Sequence, residues 1–190
     1  MISLRLPADD GIRKLLRDHS DSPYSYPDVG ATRGEFPSGY TVVRRAAVLG
    51  HGEPVFRAAK HALLGWGPFR VPWVRVFPQA APGKGVLVAV VVRLAGLWWK
   101  NISRVIYMID EPHAFGFAYG TLQIHTQTGE EQFLVEMSSA TGEVTYKIQA
   151  FARPRHPLAR LAYPLARATQ RRFGSDSIAA MQKQVATPDG

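Results

Sequence analysis

The sequence predicts an α+β fold in which a curved antiparallel sheet of about seven strands wraps around a long C-terminal helix. The chain has 190 residues and is 46% hydrophobic, which suits one well-packed domain. Its hydrophobic period is helical near residues 53–65, alternates over residues 71–152, and becomes helical again from Pro157. The turns between the alternating segments are too short for crossover connections, so the strands should pair in antiparallel fashion.

Residues 1–39 are predicted to form a helix and an irregular segment that pack on the body of the protein. Within 8–19, Asp9 or Asp10 is the expected N-cap, and apolar residues follow at helical spacing. Residues 21–39 are rich in Pro, Gly, Ser and Asp, which predicts irregular structure. The aromatic residues that could fix this segment to the body are Tyr24, Tyr26 and Phe36.

Residues 40–186 are predicted to form a single domain, with a tail over 187–190. Residues 40–49 are rich in β-branched side chains and predict a strand. A helix should follow it, with Pro54 in the first turn and glycines at its end. Six further strands are expected at 71–77, 85–95, 102–109, 114–124, 131–137 and 143–152. Turn-forming stretches separate them, including 95–101 and 125–130.

The last helix is expected to begin at Pro157 and to bury one apolar stripe. The residues of that stripe are Leu158, Leu161, Leu165 and Ala168. Arginines lie on another face of the same helix, and the net charge of the chain is +8. The segment therefore combines a face that can pack on the sheet with a strongly basic one.

Composition excludes several classes of site. The chain has no cysteine, which excludes disulfides, thiolate zinc sites, iron–sulfur clusters and cysteine nucleophiles. It has no Gly-rich phosphate loop, no dinucleotide fingerprint and no metalloprotease motif, so we predict no cofactor and no metal. The longest apolar run, residues 86–99, is shorter than the roughly 20 residues of a spanning helix. With Asp9 and Asp10 where a secretory leader would be apolar, the sequence predicts a soluble cytoplasmic protein.

Several stretches resemble uncharacterised protein family 0548, a domain-of-unknown-function family. They are YPDVGATRG (26–34), RAAKHALLGW (57–66), WVRVFP (73–78), DEPHAFGFAYGTLQIHTQTGEEQFLVE (110–136) and RPRHPLARLAYPLARATQRRF (153–173). The resemblance implies the helix-grip fold of the START-like (SRPBCC) superfamily, in which an apolar cavity separates the sheet from the last helix. The family brings no established activity with it.

The most polar part of the strand region predicts a ligand site. Alternation places Tyr119 and Thr121 on one strand face with two phenylalanines, and Glu131 shares a face with Phe133 on the next strand. Hydroxyl groups among aromatic rings are typical of small-molecule sites. We therefore predict non-catalytic binding of a hydrophobic or amphipathic, lipid-like molecule between the sheet and the last helix. The candidate residues are Tyr107, Phe115, Phe117, Tyr119, Thr121, Glu131 and Phe133. Alternation leaves open which sheet face lines the cavity.

Two alternatives remain open on the sequence. An enzyme could act on the contents of the same cavity, with Glu131 or His125 as general acid or base, because a carboxyl among aromatic rings is expected to have a perturbed pKa. Alternatively, the arginine-rich segment could bind nucleic acid or an anionic surface. Its basic residues are Arg153, Arg155, Arg160, Arg167, Arg171 and Arg172. No nucleic-acid motif accompanies these arginines, so nucleic acid is not the expected partner; the oligomeric state is left open.

Overall fold

The structure is a computed structural model that describes residues 2–94, 96–125, 127–155 and 163–187. Three α-helices are described: α1 (Asp9–Asp18), α2 (Glu53–Leu64) and α3 (Tyr163–Ala186). The strands are β1 (Ile2–Ser3), β2 (Thr41–His51), β3 (Val74–Pro78), β4 (Leu87–Leu94), β5 (Leu97–Glu111), β6 (Ala114–Thr121), β7 (Gln127–Met137) and β8 (Glu143–Pro154).

Seven of these strands form one antiparallel sheet, in the order β2-β8-β7-β6-β5-β4-β3, and the two-residue β1 pairs with β5. Strands that are consecutive in the chain pair with each other from β3 to β8, and β2 pairs with β8. The predicted fold class, a curved antiparallel sheet with a long C-terminal helix, is therefore confirmed. In the register of β6 and β7, Tyr119 lies opposite Glu131 and Phe117 opposite Phe133.

The main apolar core lies between α2, α3 and one face of the sheet, which we call the inner face. The ring of Phe133 is fully buried there, with ring centroids 5.2 Å from Phe117 and 5.3 Å from Phe69. Two polar contacts fix α3 across the sheet. The indole Nε1 of Trp73 donates to Asp176 Oδ2 at 2.7 Å, and Tyr146 Oη lies 3.0 Å from Ser177 Oγ.

The opposite, outer face is covered by the N-terminal part of the chain. Ile12 and Leu16 of α1 are buried in a second apolar cluster with residues of β4 and β5, such as Ile102. Farther along, the rings of Tyr26 and Phe36 contact Phe151 at centroid distances of 5.6 and 5.7 Å. Both sheet faces are thus covered, one by α2 and α3 and the other by residues from the first 39.

Three local predictions were wrong. The N-cap of α1 is Ala8, and both Asp9 and Asp10 lie in the first turn. Their negative charges interact favourably there with the positive end of the helix dipole. The stretch 95–101 is not a long break, because β5 already begins at Leu97 after a glycine at φ 77°. The stretch 125–130 is also not a turn throughout, because β7 begins at Gln127 and includes residues 128–130.

The C-terminal helix is described from Tyr163 onward, so the predicted start at Pro157 and the predicted contacts of Leu158 and Leu161 lie outside the described residues. Arg160 and the side chain of Leu165 also lie outside the described part of the chain. The expected burial of Ala168 was wrong, because that residue is exposed. The buried positions of α3 instead include Gly174, Ser177 and Met181.

Arginines of the described part of α3 lie at the surface: Arg167, Arg171 and Arg172 are exposed. Arg172 nevertheless makes defined contacts, since its Nε lies 3.4 Å from Asp176 Oδ2 and its guanidinium 4.9 Å from the ring centre of Trp73. Of the helices described, none is long and apolar enough to cross a membrane.

Candidate functional site

A cavity of about 530 Å³ lies between the inner face of the sheet and α3. Its wall is largely apolar, with Val90 and Val92 from β4, Ile148 from β8, and Phe173 from α3. Small-molecule sites typically occupy roughly 300–1,000 Å³ and combine such a wall with a few polar groups. The volume lies within this range, and the lining has the same combination of apolar and polar groups.

The main polar feature of the wall is a pair formed by Tyr119 and Glu131. They lie opposite each other on β6 and β7, and the Tyr119 hydroxyl donates to Glu131 Oε2 at 2.7 Å. Burial raises the pKa of Glu131 to about 7, although the hydrogen bond from Tyr119 opposes the shift. Burial, with the neighbouring Glu131, also raises the pKa of Tyr119 well above its ordinary value. Near neutral pH this carboxyl can therefore either accept or donate a proton.

His125 lies on the same wall, in the connection between β6 and β7. Burial lowers its pKa to about 3, so the imidazole is neutral at physiological pH. Its Nδ1 accepts a hydrogen bond from the backbone N–H of Gln127 at 3.0 Å, which leaves the ring proton on Nε2. Among the described residues, no group of three His, Asp or Glu side chains is placed to hold a metal ion.

The neighbouring carboxyl, Glu130, serves a different purpose because adjacent strand residues point to opposite faces. On the outer face, its Oε2 accepts hydrogen bonds from the Tyr26 hydroxyl at 2.8 Å and the Gly30 N–H at 2.7 Å. Its Oε1 accepts from the Thr32 N–H at 3.0 Å and from the Thr32 hydroxyl. Glu130 therefore fixes the segment around residues 26–32 to the sheet. A Cβ at Gly120 would lie 2.2 Å from Tyr26 Oη, so this contact requires glycine.

Four of the residues singled out from the sequence line the cavity together: Tyr119, Thr121, His125 and Glu131. The Thr121 hydroxyl is used within the protein, since its Oγ1 accepts from the Gly129 N–H at 2.9 Å and lies 2.6 Å from Ser25 Oγ. The three phenylalanines are fully or almost fully buried in the core beside the cavity and are not part of its lining: they are Phe115, Phe117 and Phe133.

Tyr107 lies on the outer face, away from the cavity. A β-bulge in β5 between Val105 and Tyr107 interrupts the alternation, so Val105 pairs with Tyr119 whereas Tyr107 pairs with Ala118. The Tyr107 hydroxyl lies 2.6 Å from Thr32 Oγ1 and accepts from Gln132 Nε2 at 2.8 Å. Its place in the molecule is thus the network that fixes the N-terminal segment.

Other residues of the wall were not found from the sequence. Trp99, Asn101 and Ser103 lie two apart on β5 and all line the cavity. Their alternation was the available signal, but reading 95–101 as a turn concealed it. From α3, Gln170 lines the cavity and its Nε2 donates to Gln127 Oε1 at 2.9 Å.

Three solved structures share this fold. Zhui aromatase/cyclase from Streptomyces sp. R1128 has a TM-score of 0.56 at 13% identity, covering 77% of this chain and 94% of its own. Norcoclaurine synthase from Thalictrum flavum has a TM-score of 0.55 at 12% identity, and the match covers 80% of this chain and 98% of that protein. A START superfamily protein from Mycobacterium smegmatis has a TM-score of 0.50 at 13% identity, and the match covers 78% of this chain and 98% of that protein. At such identities the similarity shows the fold alone, which is START-like.

Sequence relatives are closer. A UPF0548 protein from Deinococcus radiodurans is 33% identical, with 90% of this chain and 92% of that protein covered. One from Dictyostelium discoideum is 29% identical, with 97% and 96% covered. The family model described as "Domain of unknown function (DUF1990)" matches residues 25–180, which include the segment held by Glu130, the cavity wall and most of α3. The chain therefore belongs to the DUF1990 family and is related to UPF0548 proteins.

Proposed function

We propose that this protein binds a hydrophobic or amphipathic small molecule in the cavity between its sheet and α3, without changing it chemically. The observation that carries the proposal is the cavity of about 530 Å³, whose largely apolar wall bears the Tyr119–Glu131 pair. Burial of apolar ligand surface is worth about 25 cal/mol per Å², before the cost of ordering the ligand is subtracted. The polar pair would then orient the ligand.

The fold neighbours support a small-molecule ligand without naming it. One of them is an aromatase/cyclase, and norcoclaurine synthase has been solved in complex with dopamine and hydroxybenzaldehyde. These ligands belong to that protein. What supports the proposal in this chain is its own cavity between the sheet and α3.

Filling the cavity should abolish binding. Ala150 lines it, opposite Glu131 in the register of β7 and β8, and has no side-chain hydrogen bond to lose. We expect Ala150→Trp to prevent binding of the uncharged fluorescent probe N-phenylnaphthylamine, which the wild-type protein should bind. Overpacking is expected to cost about 1–3 kcal/mol of stability. Probe titration, followed by fluorescence, measures the effect.

The matched control is Ala179→Trp, an exposed position of α3 outside the cavity, which should bind the probe like the wild type. Should Ala150→Trp fail to fold, Val92→Trp fills the cavity from the opposite wall. Thr121→Trp is less suitable, because it also removes the hydroxyl bonded to Gly129. Unchanged probe binding in a folded Ala150→Trp or Val92→Trp protein would contradict the proposal.

A second candidate is an enzyme in which Glu131 acts as general acid or base on the bound molecule. It is favoured by the pKa of about 7 at a carboxyl on the cavity wall, which suits proton transfer at neutral pH. Native mass spectrometry of protein from its own cells would identify a co-purifying ligand. If the enzyme hypothesis is right, wild-type protein converts this ligand and Glu131→Gln does so at least about 100-fold more slowly. An unaltered ligand after prolonged incubation with the wild type would instead support binding alone.

A further inference from the structure

We infer that the ligand carries a protonated amine at its polar end, bound by the carboxylate of Glu131. The inference rests on the proposed function and specifies the class of ligand that the cavity would take. Three features of the cavity wall support it: its charged groups, its aromatic rings, and the presence of Glu131 among the residues that line it.

The described cavity wall offers an anion but no fixed cation. No Lys or Arg is among the described residues that line it. Glu130 contributes to the wall, but its carboxylate is held on the outer face by Tyr26, Gly30 and Thr32. From the described residues, an anionic ligand would therefore meet Glu131 without a compensating positive charge, and burying such a charge unpaired is costly.

Among the described residues, no cationic side chain faces Glu131 to pair with its charge. Tyr119 donates to Oε2 from β6. On β8, burial raises the pKa of Tyr146, and the nearby Glu131 adds to this shift. From the connection between β6 and β7, the wall carries His125, a neutral imidazole. The described residues that α3 contributes to the wall are uncharged: Thr169, Gln170, Phe173 and Gly174. A carboxylate in such surroundings gains most from a cation that the ligand itself supplies.

Aromatic rings make up much of the rest of the wall. They are Phe69, Trp73, Trp99, Tyr119 and Phe173. The faces of such rings attract a cation electrostatically and repel an anion, and cages of aromatic residues are a known means of holding ammonium groups. One carboxylate among several rings thus favours an amine over a carboxylic acid or a phosphate.

The pairing should also depend on pH in a defined way. An alkyl amine, with a pKa near that of lysine at about 10.4, stays protonated throughout the neutral range. Burial keeps the pKa of Glu131 near 7 in the empty protein, so the fraction of carboxylate grows as the pH rises through that value. Amine binding should therefore strengthen between pH 6 and pH 8, by a factor of about 5–10.

The test compares three compounds with the same apolar chain: dodecylamine, dodecanol and dodecanoic acid. Each is used below its micellar concentration to displace N-phenylnaphthylamine from the wild-type protein. We expect dodecylamine to bind at least about tenfold more tightly than dodecanol, since a charge-assisted hydrogen bond is about twice as strong as a neutral one, and dodecanoic acid to bind most weakly. Tighter binding of dodecanoic acid than of dodecylamine would overturn the inference.

Glu131→Gln is the decisive variant, because the amide oxygen can still accept the hydrogen bond from Tyr119. In this variant dodecylamine should lose its advantage and its pH dependence, while the affinity for dodecanol stays within about twofold. An amine preference that survives the substitution would overturn the assignment to Glu131. If the wild type binds neither the probe nor any of the three compounds, the proposed function itself fails. Binding of dodecanol with no preference for the amine overturns only the present inference.

Discussion

Glu130→Gln is expected to lower the free energy of unfolding by about 2–4 kcal/mol, although it changes only one atom and one charge. The carboxylate of Glu130 accepts bonds on both oxygens, from the N–H groups of Gly30 and Thr32 and from two hydroxyls. The hydroxyls can rotate to find other partners, whereas the backbone N–H groups cannot. An amide NH₂ must therefore face one of the two N–H groups, which leaves that buried donor unsatisfied.

Urea unfolding measures the loss, and hydrogen exchange shows where it arises. Exchange should quicken over residues 26–32 more than in α2, because Glu130 is what holds that segment. The matched control is Glu131→Gln at pH 5 or below, the same chemical change on the next residue, where the carboxyl is already protonated and little stability should be lost. A change of less than about 0.5 kcal/mol in Glu130→Gln would show that the network contributes little.

The alternation in the sequence was sufficient to predict the architecture because residues two apart in a strand point to the same sheet face. In β7, Phe133 and Val135 were expected to share a face, and both are fully buried. Strand ends were less predictable. Trp98 follows a glycine and was read as part of a turn, yet it pairs with Ser3 of β1 on one side and Arg93 of β4 on the other. Pairing with a strand at the far N-terminus is a tertiary effect that local turn chemistry does not contain.

The site was only partly predictable, for two physical reasons. Tyr119 and Glu131 were both predicted to bind the ligand, and the register of β6 and β7 brings them into contact at 2.7 Å. A single extra residue in β5 then placed Tyr107 on the other face, and nothing in the local sequence marks a bulge there. Glu130 was missed because the outer face of β7 would be solvated in an uncovered sheet; it is buried only because residues 26–32 cover it.

The same coverage gives two stretches of the sequence a defined structural role. In YPDVGATRG, the hydroxyl of Tyr26 and the N–H groups of Gly30 and Thr32 are donors to Glu130. In the stretch GFAYGT, Gly120 leaves room for the Tyr26 hydroxyl on the outer face, while Tyr119 serves the cavity on the inner one. One strand pair, β6 and β7, therefore carries both the anchor of the N-terminal segment and the polar part of the cavity wall.

The second large effect is expected at Glu131, where substitution should increase stability at high pH. The unfolded chain releases the carboxyl proton near the ordinary pKa of 4.5, whereas the native protein keeps it until about pH 7. Between these values the native state binds more protons than the unfolded state, so the free energy of unfolding falls as the pH rises. Glu131→Gln has no proton to release and avoids this loss.

We therefore expect the difference in unfolding free energy between Glu131→Gln and the wild type to be small at pH 4.5 or below and to grow in favour of the variant up to about pH 7. With about 1.4 kcal/mol for each pH unit of the interval from 4.5 to about 7, it should reach about 3 kcal/mol at pH 8. Urea unfolding of both proteins across this range measures it, and taking the difference cancels the groups they share. A difference that is constant with pH, or that favours the wild type more as the pH rises, would contradict a protonated carboxyl in the cavity wall.

Tyr119→Phe provides a further check. Without the hydroxyl that donates to Oε2, the pKa of Glu131 should rise further, so the fall in stability should extend above pH 7. Because a bound amine would favour the ionised carboxyl, adding dodecylamine should reduce the pH dependence of the wild type and leave that of Glu131→Gln unchanged.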